Sequence, residues 1–187
     1  MREIEILAPL QTDLQAAEKI LSRFEYKENR RTKDTYFYDP VRPNLKQNAN
    51  GKLMECCRLR EKDAHFYATY KVDHYRQDVW VYSDEYETEI KDITAMENIF
   101  RCLGLEKLVV VNNVKHTYET PEYEIVVEEV ENLGNFIEVE AKNDDETIPA
   151  DTIKNRIFEF LQNLGLEIGA ESNAGKPEML LNKEKKS

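Results

Sequence analysis

Between Tyr123 and Glu140 apolar and polar residues alternate through two runs, parted by Asn132-Leu133-Gly134-Asn135, a stretch with turn chemistry; the pattern predicts a β-hairpin. Strand side chains alternate between two faces. Glu124, Val126, Glu128 and Val130 therefore point one way, and Tyr123, Ile125, Val127 and Glu129 the other. On the second strand Phe136, Glu138 and Glu140 oppose Ile137, Val139 and Ala141. The same acidic alternation recurs twice. Glu3, Glu5 and Leu7 face away from Ile4 and Ile6 before Pro9, and Glu85, Glu87 and Glu89 alternate with Tyr86, Thr88 and Ile90. Lys52 to Glu61 sets Met54, Cys56, Arg58 and Arg60 against Leu53, Cys57 and Leu59. Phe66 to Val72 carries Tyr67, Thr69 and Lys71 on one face, and Val109 to Tyr118 carries Asn113 and Lys115 on one face. Asp34 to Asp39 reads as a short aromatic strand stopped by Pro40.

Helical spacing occurs in three places. Thr12-Asp-Leu-Gln15 has the form of a capping box, and Leu14, Ala17, Leu21 and Phe24 follow it, predicting a helix from Thr12 to about Tyr26. Thr94-Ala-Met-Glu97 opens a second, with Met96, Ile99, Phe100 and Leu103 closed by Gly104. Residues 151–164 give a third, with Ile153, Ile157, Phe160, Leu161 and Leu164 before Gly165. Lys27, Arg30, Arg31 and Lys33 read as a solvated turn, and His74 to Tyr82 as a connection. Residues 40–51, rich in proline, asparagine and glycine, read as a loop long enough to act as a flap. A disordered tail is expected over 182–187. About eight strands and three helices make an α+β fold, a single domain over 1–181, whose antiparallel sheet curls or closes into a barrel with helices outside.

A length of 187 residues suits one domain. With 26 basic against 37 acidic residues the net charge is −11, which speaks against nucleic-acid or membrane-surface binding over the whole surface. Any polyanion must be met locally. Cys56, Cys57 and Cys102 make neither a disulfide framework nor a zinc site, and no apolar run reaches the length of a signal peptide core or a membrane span. The expectation is a soluble, cytoplasmic protein. His65, His74 and His116 are scattered without ligand spacing, and there is no phosphate-cradling glycine loop or nucleophile motif.

Two readings of the acidic strands stay open. One is an ordinary antiparallel sheet with its charged face in water. In the other, helices cover the Ile4/Ile6, Cys57/Leu59 and Ile137/Val139 faces, and the barrel interior collects Glu3, Glu5, Glu85, Glu87, Glu89, Glu128, Glu138 and Glu140 with Arg58, Arg60, Lys71 and Lys115. Enclosed carboxylates in excess of cations must be neutralised by protons or bound metal. Carboxylate oxygens without histidine or cysteine favour Mg²⁺ or Mn²⁺. The basic residues would then hold an anion bridged to the metal, with phosphate the candidate.

Glu3-Ile-Glu5, Asp34-Thr-Tyr-Phe37, Leu59-Arg60, Tyr70-Lys71, Glu85-Tyr-Glu87 and the run from Glu128 through Glu138-Val-Glu140 together resemble the CYTH superfamily, the triphosphate tunnel metalloenzymes. The likeness covers nearly the whole chain. It implies an eight-stranded closed or nearly closed antiparallel barrel, one or two Mg²⁺ or Mn²⁺ ions on acidic strands, and basic side chains gripping a triphosphate. By resemblance Glu3, Glu5, Glu128, Glu138 and Glu140 are the metal ligands. Arg58, Arg60, Lys71, Lys115, Glu85 and Glu87 are the triphosphate-binding residues, with Lys71 and Arg60 in catalytic roles. The family's opening motif is Glu-x-Glu-x-Lys; here its last place is Leu7, another basic position is Asn113, and Lys115 stands where arginine is common.

The leading expectation is an enzyme like the class IV adenylyl cyclases, in which the ribose 3′-hydroxyl of ATP attacks the α-phosphorus. One alternative is hydrolysis of inorganic or thiamine triphosphate. Another, resting on Leu7 and Asn113, is a binding protein that has lost turnover. The partner in each case is a small-molecule triphosphate (ATP, tripolyphosphate or thiamine triphosphate), and the protein is expected to be a monomer or a homodimer.

Overall fold

The computed structural model describes residues 2–77, 79–142 and 145–185. The strands are β1 (Arg2–Glu3), β2 (Glu5–Pro9), β3 (Glu25–Tyr38), β4 (Glu55–Lys62), β5 (His65–Arg76), β6 (Val79–Ile90), β7 (Glu106–Glu119), β8 (Tyr123–Val130) and β9 (Gly134–Ala141). They form one antiparallel sheet of order β1-β6-β5-β4-β3-β7-β8-β9-β2. β1 and β2 are parted only at Ile4 and pair with opposite ends of this sheet, β1 with β6 and β2 with β9. One interrupted N-terminal strand thus nearly closes the barrel. The break at Ile4 is why nine strands stand where eight were expected.

The alternation fixes which face is which. Ile4, Ile6, Ile125, Val127, Ile137 and Val139 point outward and are buried with Ala17 and Leu21 of α1 (Leu14–Leu21) and Ile153, Ile157 and Leu161 of α3 (Ala150–Gln162). On another side Phe37, Leu45, Cys57 and Leu59 are covered by Ile93, Met96 and Phe100 of α2 (Ile93–Cys102). Each fully buried aliphatic side chain is worth about 1.5–3 kcal/mol. A one-residue slip would exchange these for glutamates, so register is strongly specified. A smaller apolar cluster of Leu7, Tyr36, Val111, Val130 and Phe136 is joined by Leu180 of α4 (Lys176–Glu184).

Several local expectations are corrected. α1 ends at Leu21, and the basic cluster of residues 27–33 lies within β3 instead of in a turn. The strand persists because it pairs with β4 and β7 together, and cross-strand carboxylates meet its cations: Lys33 with Glu61 at 2.6 Å and Lys27 with Glu119 at 3.3 Å. Asp13, not Thr12, caps α1, because Asp13 Oδ1 accepts from the backbone of Gln15 and Ala16 while Thr12 Oγ1 accepts from the backbone of Glu167. Asp92, not Thr94, caps α2 by accepting from Ala95 at 2.9 Å. The His74–Tyr82 connection is the end of the β5–β6 hairpin, with His74 opposite Tyr82 and Tyr75 opposite Trp80; Asp78 lies outside the described residues.

The expected turn stands, with Asn132 and Gly134 at φ 65° and 104° and Leu133 N–H bonded to the Val130 carbonyl. The tail does not. Residues 182–184 belong to α4, held by Leu180 in its apolar cluster, by Lys183 Nζ on the Asn132 carbonyl at 2.5 Å and by Gln47 Nε2 on Asn182 Oδ1 at 3.1 Å. Residues 186–187 lie outside the described residues. Among the described residues no helix is long and apolar enough to cross a membrane.

Candidate active site

The barrel encloses a cavity of about 490 Å³ whose wall includes Glu3, Glu5, Arg58, Arg60, Lys71, Glu85, Glu87, Lys115, Glu138 and Glu140. Exposure decides between the two readings of these strands. The side chains of Glu5, Arg58 and Glu138 retain only 13%, 13% and 16% of their accessible surface, so the charged face is turned inward and not to bulk water.

Cross-strand register assembles a cationic wall. Asp34 stands opposite Arg60, which grips it with two bonds of 2.7 Å, and Arg58 Nη1 lies 3.7 Å from the same carboxylate. Burial alone would raise the Asp34 carboxyl, but Arg60, then Arg58 and Lys115, hold it down at about 2. A permanent anion thus orients two guanidinium forks. Arg58 also reaches Thr69 Oγ1 at 3.1 Å and Glu87 at 3.2 Å, because Thr69 faces Arg58 on one side and Glu87 on the other. Lys71, opposite Glu85, is ion-paired with Glu3 and lies 3.4 Å from Glu85 and 3.9 Å from Glu5. Burial would lower its pKa, yet Glu3, Glu5 and Glu85 raise it well above the usual lysine value.

Across the cavity Glu5, Glu140 and Glu124 are successive partners on β2, β9 and β8. Like charges directly opposite one another are destabilising. One oxygen from each of Glu3, Glu5 and Glu140 lies within 4.8 Å of the others. Burial, reinforced by the neighbouring glutamates, pushes Glu3 up, Glu5 well above the carboxylate range and Glu140 to about 8. This trio is an all-oxygen donor set with more negative charge than its surroundings cancel, which fits a hard divalent cation such as Mg²⁺ or Mn²⁺.

The other two expected metal ligands are already neutralised. Glu138 would be raised by burial, but Lys176 and then Lys115 hold it below the usual range. Glu128 is fully buried, accepts from Asn113 Nδ2 at 2.8 Å, lies 3.9 Å from Lys115 and is ion-paired with Lys176. Asn113, where a basic residue was the family expectation, thus supports this carboxylate. Glu89 is corrected outright. Its side chain is 59% exposed and pairs with His65 at 2.7 Å, because β6 runs on past the rim of the barrel. None of the histidines lines the cavity: His74 meets Asp84 at 2.8 Å and His116 meets Glu18 at 3.1 Å.

Sequence reasoning missed Asp34 as the anchor of the arginines and missed Lys176 altogether. Asp34 opens the Asp34-Thr-Tyr-Phe37 run, whose pattern gave it no role. The signal for Lys176 was Gly175-Lys-Pro-Glu178, a helix start with proline in the first turn and an acid at the third position.

The fold has known counterparts. "Putative adenylate cyclase MJ0240" of Methanocaldococcus jannaschii is 28% identical over 115 residues, 60% of this chain; the chain spans 63% of that protein's length. The PH1819 protein of Pyrococcus horikoshii OT3 superposes with a TM-score of 0.80 at 24% identity, over 97% of this chain and 99% of that one. "Putative adenylyl cyclase HpAC1" from Hippeastrum, described as revealing a dominant triphosphatase activity, gives 0.67 at 19% identity over 97% and 96% of the two chains. At such identities the two solved structures establish the fold alone. The model of the CYTH domain matches residues 1–170, which hold all nine described strands and, Lys176 and Glu178 apart, the carboxylates and cations that line the cavity, so this chain belongs to the CYTH family.

Proposed function

We propose that the tunnel binds a triphosphate as its complex with a divalent cation and breaks a phosphoanhydride bond, with cyclisation of ATP as the leading reaction. One observation carries this reading: a carboxylate trio and the cations Arg58, Arg60, Lys71 and Lys115 line a single cavity, with Lys71 joining the two sets through its ion pair with Glu3. Mg²⁺ or Mn²⁺ held by Glu3, Glu5 and Glu140 would supply positive charge beside the phosphate oxygens. Arg60, oriented by Asp34, and Arg58 offer planar forks matched to phosphate, while Lys71 and Lys115 add point charges. Glu85 and Glu87 act on the substrate through Lys71 and Arg58, which they hold in place.

In cyclisation a bond forms from the ribose 3′-oxygen to the α-phosphorus as that phosphorus releases pyrophosphate, and the 3′-hydroxyl proton passes to water or to the departing pyrophosphate. In this reading Arg58, Arg60, Lys71 and Lys115 would stabilise the charge that develops on the leaving pyrophosphate. Carboxylates hold Lys71 and Lys176 charged, so neither ammonium is a proton acceptor. This favours a nucleophile that the substrate itself carries in position. Hydrolysis of the terminal phosphate is the second reading, favoured by the dominant triphosphatase activity described for the structurally similar HpAC1. Incubation with ATP, tripolyphosphate or thiamine triphosphate plus Mn²⁺ tests both. Cyclic AMP with pyrophosphate supports the first, orthophosphate the second, and binding without products would overturn both in favour of a binding protein.

The trio also sets a pH dependence. With Glu140 raised to about 8, Mn²⁺ must displace a proton to bind at neutral pH. Affinity should rise with pH through neutrality, by about tenfold per pH unit for each proton displaced, with Glu140 contributing one such proton up to about pH 8. Calorimetry in buffers of differing ionisation enthalpy would detect the released proton. Binding that is flat in pH would place the metal elsewhere.

A further inference from the structure

Lys176 is the first residue of α4 and lies beyond the stretch that the CYTH model matches. Its ammonium stands between carboxylates of two adjacent strands, ion-paired with Glu128 of β8 and 2.5 Å from Glu138 Oε2 of β9. Only 12% of the side chain is exposed. The fold sets this position. Ser172 N–H bonds the Leu7 carbonyl at 2.8 Å, which runs the segment before α4 alongside β2. Glu178 then accepts from the backbone N–H groups of Leu53 and Gly175, and Leu180 is buried with Leu7, Val130 and Phe136.

We propose that Lys176 is a built-in cation filling the place between Glu128 and Glu138 that a divalent ion would otherwise take, so that this tunnel holds one metal ion and not two. The proposal rests on reading the tunnel as a metal and triphosphate site. Two carboxylates sharing one nitrogen have the arrangement of ligands around a common cation, with the ammonium as that cation. The partner of Glu138 across β2 is the uncharged Leu7, so its neutralisation comes from α4, with Lys115 on β7 at 3.9 Å. Among the described residues no lysine pairs with all three of Glu3, Glu5 and Glu140; Lys71 is ion-paired with Glu3 and lies 3.9 Å from Glu5. The charge still to be met therefore lies at the trio. A second divalent ion beside a fixed ammonium would meet repulsion at short range with little water to screen it.

Counting bound Mn²⁺ on the full chain, from the electron paramagnetic resonance signal of free Mn²⁺ and by calorimetry, tests this. Wild type should bind one Mn²⁺ per chain, Lys176→Met two, and Lys176→Arg, which keeps the charge, one. Two ions on wild type, or a folded Lys176→Met that still binds one, would overturn the proposal. Lys176→Met strips a buried carboxylate of its counter-ion and can fail to fold without metal; Mn²⁺ should then restore its circular dichroism at two ions per chain, and failure of saturating Mn²⁺ to do so also overturns it. The tunnel reading is separable. Glu140→Gln should lower the wild-type count from one to none, and a wild type that binds no Mn²⁺ removes the metal site itself.

Discussion

Glu138→Gln and Glu140→Gln should shift the stability of the metal-free protein in opposite directions, although the two residues share one face of β9. Glu140 is desolvated among Glu3, Glu138 and Glu124, and its carboxyl is raised from 4.5 to about 8. A carboxyl with a raised folded pKa contributes stability that is complete below about pH 4.5 and is lost as pH climbs to about 8. At pH 7 most of that loss has occurred. A neutral glutamine escapes it, so Glu140→Gln should gain about 1–3 kcal/mol without metal while losing the rise in melting temperature that Mn²⁺ gives by binding linkage. Glu138 has the reverse sign. Lys176 and Lys115 depress its pKa, so its stabilisation is present at neutral pH and lost on acidification. Glutamine there leaves two enclosed ammonium groups short of a counter-ion, a loss of about 3–5 kcal/mol. Urea denaturation at pH 7, with and without Mn²⁺, reads both. Shifts of the same sign in the two variants would show that the five carboxylates act as one undivided cluster.

That division was not legible in the sequence, and the reason is physical. Alternation is a local property of a strand, so it correctly turned Glu3, Glu5, Glu138 and Glu140 inward together and Ile137 and Val139 outward. It carries no information about where a strand leaves the barrel, and Glu89 was therefore placed inside when it is at the rim. Nor does it say which cation meets which carboxylate. Lys176 owes its place to contacts far apart in the chain, above all the Leu53 N–H on Glu178, 125 residues away. β3 was cut short for a related reason: Lys27 and Lys33 look like loop residues until the neighbouring strands supply Glu119 and Glu61.

Leu7→Lys should destabilise the protein by about 3–5 kcal/mol and bring no gain in tripolyphosphate affinity, even though it restores the lysine of the family's opening motif. Alternation put Leu7 on the face of Glu3 and Glu5, and it does line the cavity. It is also 6% exposed and packed with Tyr36, Val111, Val130, Phe136 and Leu180. The tunnel has an apolar part, and Leu7 belongs to it. The carboxylate opposite Leu7 in register is Glu138, which already holds Lys176 and faces Lys115. A further ammonium would enter a low-dielectric neighbourhood with its natural partner taken and two like charges close by. The penalty therefore depends on Lys176. In a Lys176→Met background the new lysine has Glu138 free to pair with, so the double variant should be more stable than the sum of the single losses by roughly 1–3 kcal/mol. Denaturation of wild type, both single variants and the double variant completes the cycle, with tripolyphosphate titrations alongside. Strict additivity, or a Leu7→Lys protein as stable as wild type that binds tripolyphosphate more tightly, would show that position 7 and Lys176 do not compete for Glu138.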